Sequence, residues 1–447
     1  MNKAKCLYRA PVVLPVAGPP LLNGAVLTEN GRVLAVGPYA ELRSEAVGLN
    51  PADELDYDGH VLVPALVNAH CHLELSHLAT LSRDLQSEPG DLPGWIRRLL
   101  AAREKYREVA PGIPGIPSTP GTPDILVASG ASDVFNAPDV ETGADPTEAA
   151  YAAILALARL HAGGCRTVID IGNFSASRNL GRNFKTEVFF HLELLGFNGK
   201  IEQEALTRLV DLDPDLCCTA HAPYSTGARL MQALKKRAWT AQHLFPIHLA
   251  ESAAEVEFLA TGAGPFRDFL SERGLDLVDF SPPGLTPVAW LDALGLLDEK
   301  TLCVHAIQVS ADDIARLAVR RCGVCLCPGA NRHLGLGKAP LMAYLQHGIM
   351  PALGTDSLVG NDAFSLWYEM QLLRQDHPQV APATVLAMAS LAGARLLNRA
   401  GEKAGVIAPG ASSALLAVAC RDAVRGVEAA LEYLTTAGPD IRLEWTE

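Results

Sequence analysis

No apolar run in the chain approaches the roughly 20 residues that span a membrane, and no segment repeats at a fixed period. Charge is sparse, at 19% of 447 residues, and unbalanced toward acid, with a net charge of −13. An acidic surface disfavours non-specific binding to nucleic acid or anionic lipid. With 49% apolar residues, global disorder is excluded as well. The ten cysteines lack the spacing of a small disulfide framework; most sit in apolar runs such as LCCTA, TLCVH and VCLCP, the pattern of buried thiols in a reducing compartment. The opening MNKAKCLYRAPVVLPVAGPPLL is broken by prolines at 11, 15, 19 and 20, which does not fit a signal peptide. The expectation is a cytoplasmic protein with a small-molecule partner, no nucleic-acid partner and no membrane partner; a homo-oligomer is compatible with these features.

Residues 1–58 read as short strands with turns, including a hairpin signal at Glu29-Asn30-Gly31 in GAVLTENGRVLAVG. Over 59–402, short β-branched-rich runs alternate with helical stretches. Eight candidate strands stand out: 61–69, 166–172, 186–196, 216–222, 244–251, 301–306, 323–328 and 349–356. Repeated strand–helix units predict a parallel sheet, and eight of them an α/β fold of the (β/α)8 TIM-like barrel type. A doubly wound open sheet is the alternative. Residues 403–447 hold strands without barrel partners, expected to return to 1–58 and complete a small β-sandwich built from both termini. The Pro- and Gly-rich stretch 111–146 reads as a loop or lid.

The chemistry gathers at strand ends. NAHCHLEL, 68–75, ends the first barrel strand with His70 and His72. Successive strand side chains alternate faces, so these two imidazoles point the same way. The run HLAE contributes His248 and Glu251, LCVHA contributes His305, and GTDS contributes Asp356. In a parallel barrel all carboxyl-terminal strand ends surround one mouth. Imidazole nitrogens and a carboxylate suit a single divalent cation, zinc with iron as the alternative, held by His70, His72, His248 and Asp356. Such an ion makes hydroxide available at neutral pH. Asp356 can then accept the water proton, His305 can orient the nucleophile, and Glu251 can carry a proton to a substrate nitrogen.

Taken in order, NAHCHLELS, FPIHLAES, LCVHA, CPGANRHLGLGKAP and ALGTDSLVGND resemble the amidohydrolase superfamily, in its deaminase and chlorohydrolase branch. HLELS (72–76), GWIRRLLAAR (94–103), DIGN (170–173) and NRHLGLGKAP (331–340) are most similar to the aminodeoxyfutalosine deaminases of menaquinone biosynthesis. The resemblance implies a mononuclear hydrolytic deaminase of an amino-purine nucleoside, releasing ammonia. A heteroaromatic chlorohydrolase, another C–X hydrolase and a catalytically silent metal-binding relative are the other readings. The chain departs from the pattern in carrying PGAN at 328–331 where relatives tend to have Pro-Arg-Ser-Asn, with Arg332 as the candidate substitute for the missing arginine. The resemblance also makes His221 a substrate contact. Glu74 either reaches substrate or caps the following turn, and Trp95 is either pocket wall or core.

Other motifs point elsewhere. HLE at 72–74 mimics the H-x-E of cytidine-type zinc deaminases, but the chain has no P-C-x-x-C to complete that site. The strand LCCTAHA has no lysine, which disfavours the two-metal branch with its carboxylated lysine bridge. Cys322 and Cys325 form C-x-x-C on a strand with no second pair nearby and read as core thiols.

Overall fold

The structure, a computed structural model, describes residues 5–446 apart from 47–48, 83–84, 86, 110–145, 174–183, 276, 279, 398–403 and 421–425. Strand β1 (Cys6–Val13) runs antiparallel to β2 (Leu21–Glu29), which pairs with β3 (Arg32–Pro38) across the two-residue turn Asn30-Gly31. Both turn residues have positive φ, 51° and 76°, as a type I′ hairpin requires. Two further strands, β4 (Glu54–Asp56) and β5 (His60–Pro64), lie parallel to β1.

The apolar run 61–69 is therefore not one strand. It divides at Ala65, and the second piece, β6 (Leu66–Cys71), begins a separate parallel ladder. That ladder continues through β7 (Cys165–Gly172), β8 (Glu187–Leu194) and β9 (Cys218–Ala220). A second parallel ladder holds β10 (Phe245–Leu249), β11 (Thr301–His305), β12 (Gly323–Leu326) and β13 (Ala352–Leu353). The two quartets meet on both sides. His248 N donates to His221 O at 2.9 Å, while Thr355 N and Asp356 N donate to His70 O at 3.0 and 3.1 Å. These bonds close eight parallel strands into a (β/α)8 barrel.

Strand alternation sorts the core. Ile169, Phe189, Leu302, Val304, Cys325 and Ala352 cluster inside the ring, while Val168, Phe190, Leu192, Ile247, Cys303 and Val324 pack outward with the helices. The helix Pro146–Ala162 stops at Gly163-Gly164, where Gly164 takes φ 87°. Cys322 and Cys325 are buried and free, as core thiols are. The stretch read as a loop or lid lies outside the described residues except for Pro146. No described helix is long and apolar enough to cross a membrane.

The chain then returns to its first sheet. Strand β14 (Leu415–Ala419) runs antiparallel to β5, and β15 (Leu443–Trp445) to β14. Residues leading into β14 also meet β3, with Gly410 N on Val33 O at 2.8 Å and Ser413 N on Gly31 O at 3.0 Å. The seven-stranded sheet thus curls on itself and encloses Tyr8, Val26, Val33, Leu62, Ile407 and Leu415.

His191, on β8 and 2% exposed, keeps its Nδ1 3.2 Å from Phe189 O. Burial lowers its pKa to about 4. An unfolded imidazole protonates near pH 6.5, so the neutral folded form contributes stability that is fully present above that value and lost as pH falls through about 4. At about 1.4 kcal/mol per pKa unit, the contribution is about 3 kcal/mol. His191→Leu should therefore flatten the fall in thermal midpoint between pH 6.5 and 4.5, measured on metal-stripped protein; an unchanged slope would assign acid sensitivity to other groups.

Candidate active site

At the carboxyl-terminal mouth the ladder between β6 and β7 slips, with Asn68 opposite Val168 but Cys71 opposite Asp170. A bulge of this kind re-aims side chains at a barrel rim. His70 and His72 end up on the same side, ring centroids 4.8 Å apart. His248 adds a third ring, 4.9 Å from His70 and 5.3 Å from His72. Asp356, delivered by the closing bonds to His70 O, has Oδ1 3.7 Å from both His70 Nε2 and His72 Nε2.

Tautomers are fixed from outside the cluster. His72 Nδ1 lies 2.9 Å from Ile171 O and His248 Nδ1 lies 3.1 Å from His221 O, so each Nδ1 carries the proton and donates it to a carbonyl. Both Nε2 atoms therefore present lone pairs, and they face each other at 3.3 Å. His70 Nε2 is buried with no hydrogen-bond partner among the described residues. Burial lowers the His70 pKa to about 4 and also holds His72 and His248 down, which keeps all three neutral. Burial raises the Asp356 carboxyl, but His70, His305 and His72 outweigh it and hold the group well below the usual carboxylate range. Converging lone pairs, a carboxylate and backbone-anchored second nitrogens are the donor set of a divalent metal centre. The residues present fit such an ion.

His305 and Glu251 flank this cluster. His305 Nδ1 lies 3.0 Å from Asn331 Oδ1, which turns Nε2 toward Glu251 Oε1 at 3.5 Å and Asp356 Oδ2 at 3.9 Å. Alternation along β11 would send residue 305 outward with Cys303; a left-handed backbone at His305, φ 66°, breaks it. Asp356 and Ala250 are left-handed too, at 55° and 50°. Such non-glycine strain of about 1–3 kcal/mol per residue persists only where surrounding bonds impose it. Around Ala250 they do. Glu255, fully buried, accepts from Ala250 N at 3.0 Å and Glu251 N at 2.8 Å.

His72, His248, Glu251, His305 and Asp356 border a cleft of about 710 Å³, part of it open solvent, that also touches Glu74, Trp95, Arg103, Asn173, Glu193, His221 and Tyr224. His221 Nδ1 is 2.6 Å from Ser225 Oγ, and burial lowers its pKa to about 3. Glu74 borders the cleft while Oε2 accepts from Asn173 N at 2.7 Å, a bond to the neighbouring strand end and not to its own turn. Trp95 has its buried Nε1 without a hydrogen-bond partner among the described residues. Of the anticipated residues, Arg332 alone stands apart. Its guanidinium goes to Gln375 Oε1 and Asp376 Oδ1, both at 2.9 Å, beside a different cleft.

Sequence reasoning did not single out Glu193, Asn331 or Glu255. Glu193 lies at the end of β8, next to its last residue, so the strand-end rule that found His248 would have found it; burial pushes its carboxyl up to about 8, and Oε1 has no partner among the described residues. Gly329 explains the PGAN departure. A Cβ there would run into Asn361 Oδ1 and Glu369 Oε1, and its amide donates to Glu369 Oε2 at 2.7 Å. A longer residue does not fit this arrangement.

Comparison with known proteins agrees with this geometry. The amidohydrolase family profile matches residues 61–438. The chain belongs to the amidohydrolase family. A bacterial imidazolonepropionase-like composite domain also matches residues 24–46. Aminodeoxyfutalosine deaminase of Deinococcus radiodurans is 29% identical over 381 residues, 84% of this chain and 81% of that one. A 5-methylthioadenosine/S-adenosylhomocysteine deaminase of Moorella thermoacetica is 27% identical over 425 residues, 90% and 85%. In fold, the chain is similar to Helicobacter pylori aminofutalosine deaminase in complex with methylthio-coformycin, with TM-score 0.74, 20% identity and 96% of each chain covered. It is also similar to the zinc complex of an Arthrobacter aurescens atrazine chlorohydrolase, with TM-score 0.69, 17% identity and 96% and 91% covered. The amidohydrolase chain is a hydrolase acting on C–N bonds other than peptide bonds.

Metal-stripped protein titrated with Zn2+ should take up about one ion per chain and gain thermal stability, as a ligand that binds only the folded state must confer. His72→Ala and His248→Ala should each abolish that gain, while Arg332→Ala keeps it. Equal stabilisation of all variants, by calorimetry and elemental analysis, would place the ion elsewhere.

Proposed function

We propose that the protein is a metal-dependent hydrolytic deaminase of an adenosine-like nucleoside, with aminodeoxyfutalosine as its substrate and zinc as its ion. His70, His72, His248 and Asp356 would hold the ion. The single observation that carries this reading is the facing pair of Nε2 lone pairs beside a low-pKa carboxylate, with a second, raised carboxyl on the same cleft. The deaminase names of relatives that cover most of the chain support the reaction class.

When bound, a divalent ion supplies hydroxide at neutral pH by lowering the pKa of water from about 16 toward about 7. The chain's own groups do the rest. Glu251 is 5% exposed, and burial raises its pKa, so it can hold a proton and release it to the ring nitrogen beside the amine-bearing carbon. Asp356, held low, accepts the proton of the attacking water and returns it to the departing amine. Two carboxyls pushed in opposite directions on one cleft divide acid and base work between them. His305, with Nδ1 fixed on Asn331, keeps Nε2 directed between them. His221, Glu74 and Trp95 are the substrate-facing groups of this reading.

Ammonia release from aminodeoxyfutalosine, methylthioadenosine, S-adenosylhomocysteine and adenosine, with metal content measured on the same sample, tests the assignment. Glu251→Gln should keep its metal and lose about 10² to 10⁴ in kcat, the range of a general acid–base contribution. Undiminished turnover in that variant would remove Glu251 from the proton path; no ammonia from any adenine nucleoside would reject the deaminase.

A further inference from the structure

One wall of the cleft is a single helix, Leu92–Val109. It presents Leu92, Trp95, Ile96, Leu99, Leu100 and Arg103 to the cavity, a stripe at spacings of three and one that one helical face produces. The stripe has direction. At its start, the Trp95 ring packs beside Gly360 in the loop that follows Asp356, with Cζ2 3.4 Å from the position a Gly360 Cβ would take. Arg103 lies eight residues further on, about 12 Å along the axis at 1.5 Å per residue. Between the two the wall is apolar.

Of the helix's Arg97, Arg98 and Arg103, only Arg103 lines the cleft, and Arg98 has its Nε buried without a partner among the described residues. Arg97 is spent on Glu272, with Nε 2.6 Å from Oε2. Arg103 makes no hydrogen bond or ion pair among the described residues, although it borders the same cleft as Glu193, whose carboxyl it influences electrostatically. A guanidinium kept in a cleft without a direct partner is a fork-shaped receptor for a planar anion. The deaminase reading seats the amine-bearing ring at Glu251 and Asp356. The rest of a nucleoside then extends along the leucines, and only a substrate with a negative charge at its far end reaches Arg103 with something to pair.

We propose that Arg103 is the specificity residue of the cleft and selects adenine nucleosides whose 5′ substituent carries a carboxylate. The assignment rests on the deaminase reading and deepens it. The carboxylate has two chemical sources among the substrates named for relatives: an aromatic acid, as in aminodeoxyfutalosine, and an amino acid, as in S-adenosylhomocysteine. Methylthioadenosine carries none. The continuous apolar stripe before Arg103 favours the aromatic acid, which can lie flat on Leu99 and Leu100 with its anion beyond them.

The test compares kcat/KM of wild type, Arg103→Gln and Arg103→Lys on the three nucleosides, with metal content and circular dichroism as controls for folding. A charge-assisted bidentate contact predicts that Arg103→Gln lowers the ratio of kcat/KM for aminodeoxyfutalosine over methylthioadenosine by about 10- to 100-fold, mainly through KM. Arg103→Lys, which keeps the charge and loses the fork, should fall between, and it serves should the glutamine variant not fold. A drop confined to S-adenosylhomocysteine would keep the carboxylate and overturn its aromatic source. Parallel losses on all three substrates, or none, would make Arg103 a structural counter-charge and sink the proposal while leaving the deaminase intact. Absence of turnover by the wild type on every nucleoside would remove both readings together.

Discussion

The carbonyl oxygen of His70 accepts from two successive amides, Thr355 N and Asp356 N, and that shared acceptor fastens the last barrel strand to the first. Almost 290 residues of sequence separate the partners, yet the bond brings the aspartate within reach of two histidines that enter on β6. A second support lies just behind it. Asn68 donates from Nδ2 to Thr355 Oγ1 at 2.8 Å and accepts from Thr355 N at 3.2 Å. The ring therefore closes with polar groups paired, as a buried seam must be. Without this seam His70 and His72 would still stand together, but the carboxylate needed to complete a cation's coordination would have no fixed place.

Buried carboxylates recur one layer further out, each serving backbone amides. Asp170 Oδ1 accepts from Leu73 N at 2.8 Å, at the turn after His72. Glu255 takes the amides of Ala250 and Glu251, and Glu369 takes Gly329 N and Asn361 Nδ2. Burial pushes Glu255 and Glu369 up to about 8, and their backbone and side-chain donors pull the other way. A carboxyl placed where water cannot reach it is costly unless its bonds are worth the desolvation. Here the Glu255 bonds hold the chain in the left-handed conformation at Ala250 that precedes the cleft residue Glu251. The carboxylates oppose strain that the site could not otherwise keep.

The barrel was legible from short apolar runs alternating with helical stretches, and the metal-type cluster from the rule that parallel strands share one functional end. His70, His72, His248, His305, Glu251 and Asp356 all lie where that rule puts them. What failed to show in the sequence has identifiable causes. Two strands read as one at 61–69 because a sheet strand and a barrel strand are equally apolar; what separates them is pairing, β5 with β1 and β14, and β6 with β7. Arg332 follows Asn331 directly, but successive helical residues turn by about 100°, so Asn331 meets His305 while Arg332 meets Asp376. Glu255 reads as a solvent-facing acid in the first turn of a helix capped by Ser252, and nothing local marks it as buried. Arg103 reads as one of several cations on an amphipathic helix, and only the cleft distinguishes it.

The fold carries its site at a thermodynamic cost that a cation would offset. Five imidazoles, at 70, 72, 221, 248 and 305, crowd the mouth with ring centroids about 5–6 Å apart, and two of them direct lone pairs at each other. The arrangement brings lone pairs together and buries polar atoms that have no hydrogen-bond partner among the described residues, and the backbone bonds of the barrel hold it in place. An ion taken up here binds the folded chain and not the unfolded one, so its affinity becomes folding stability, about 4 kcal/mol at a thousandfold excess over Kd. The candidate ligands lie on β6, on β10 and on the segment after β13, so that stabilisation would act on the two sides where the quartets of strands join. Metal affinity and closure of the ring would then be one coupled equilibrium, and loosening the seam at His70 O would weaken the site with every candidate ligand still in place.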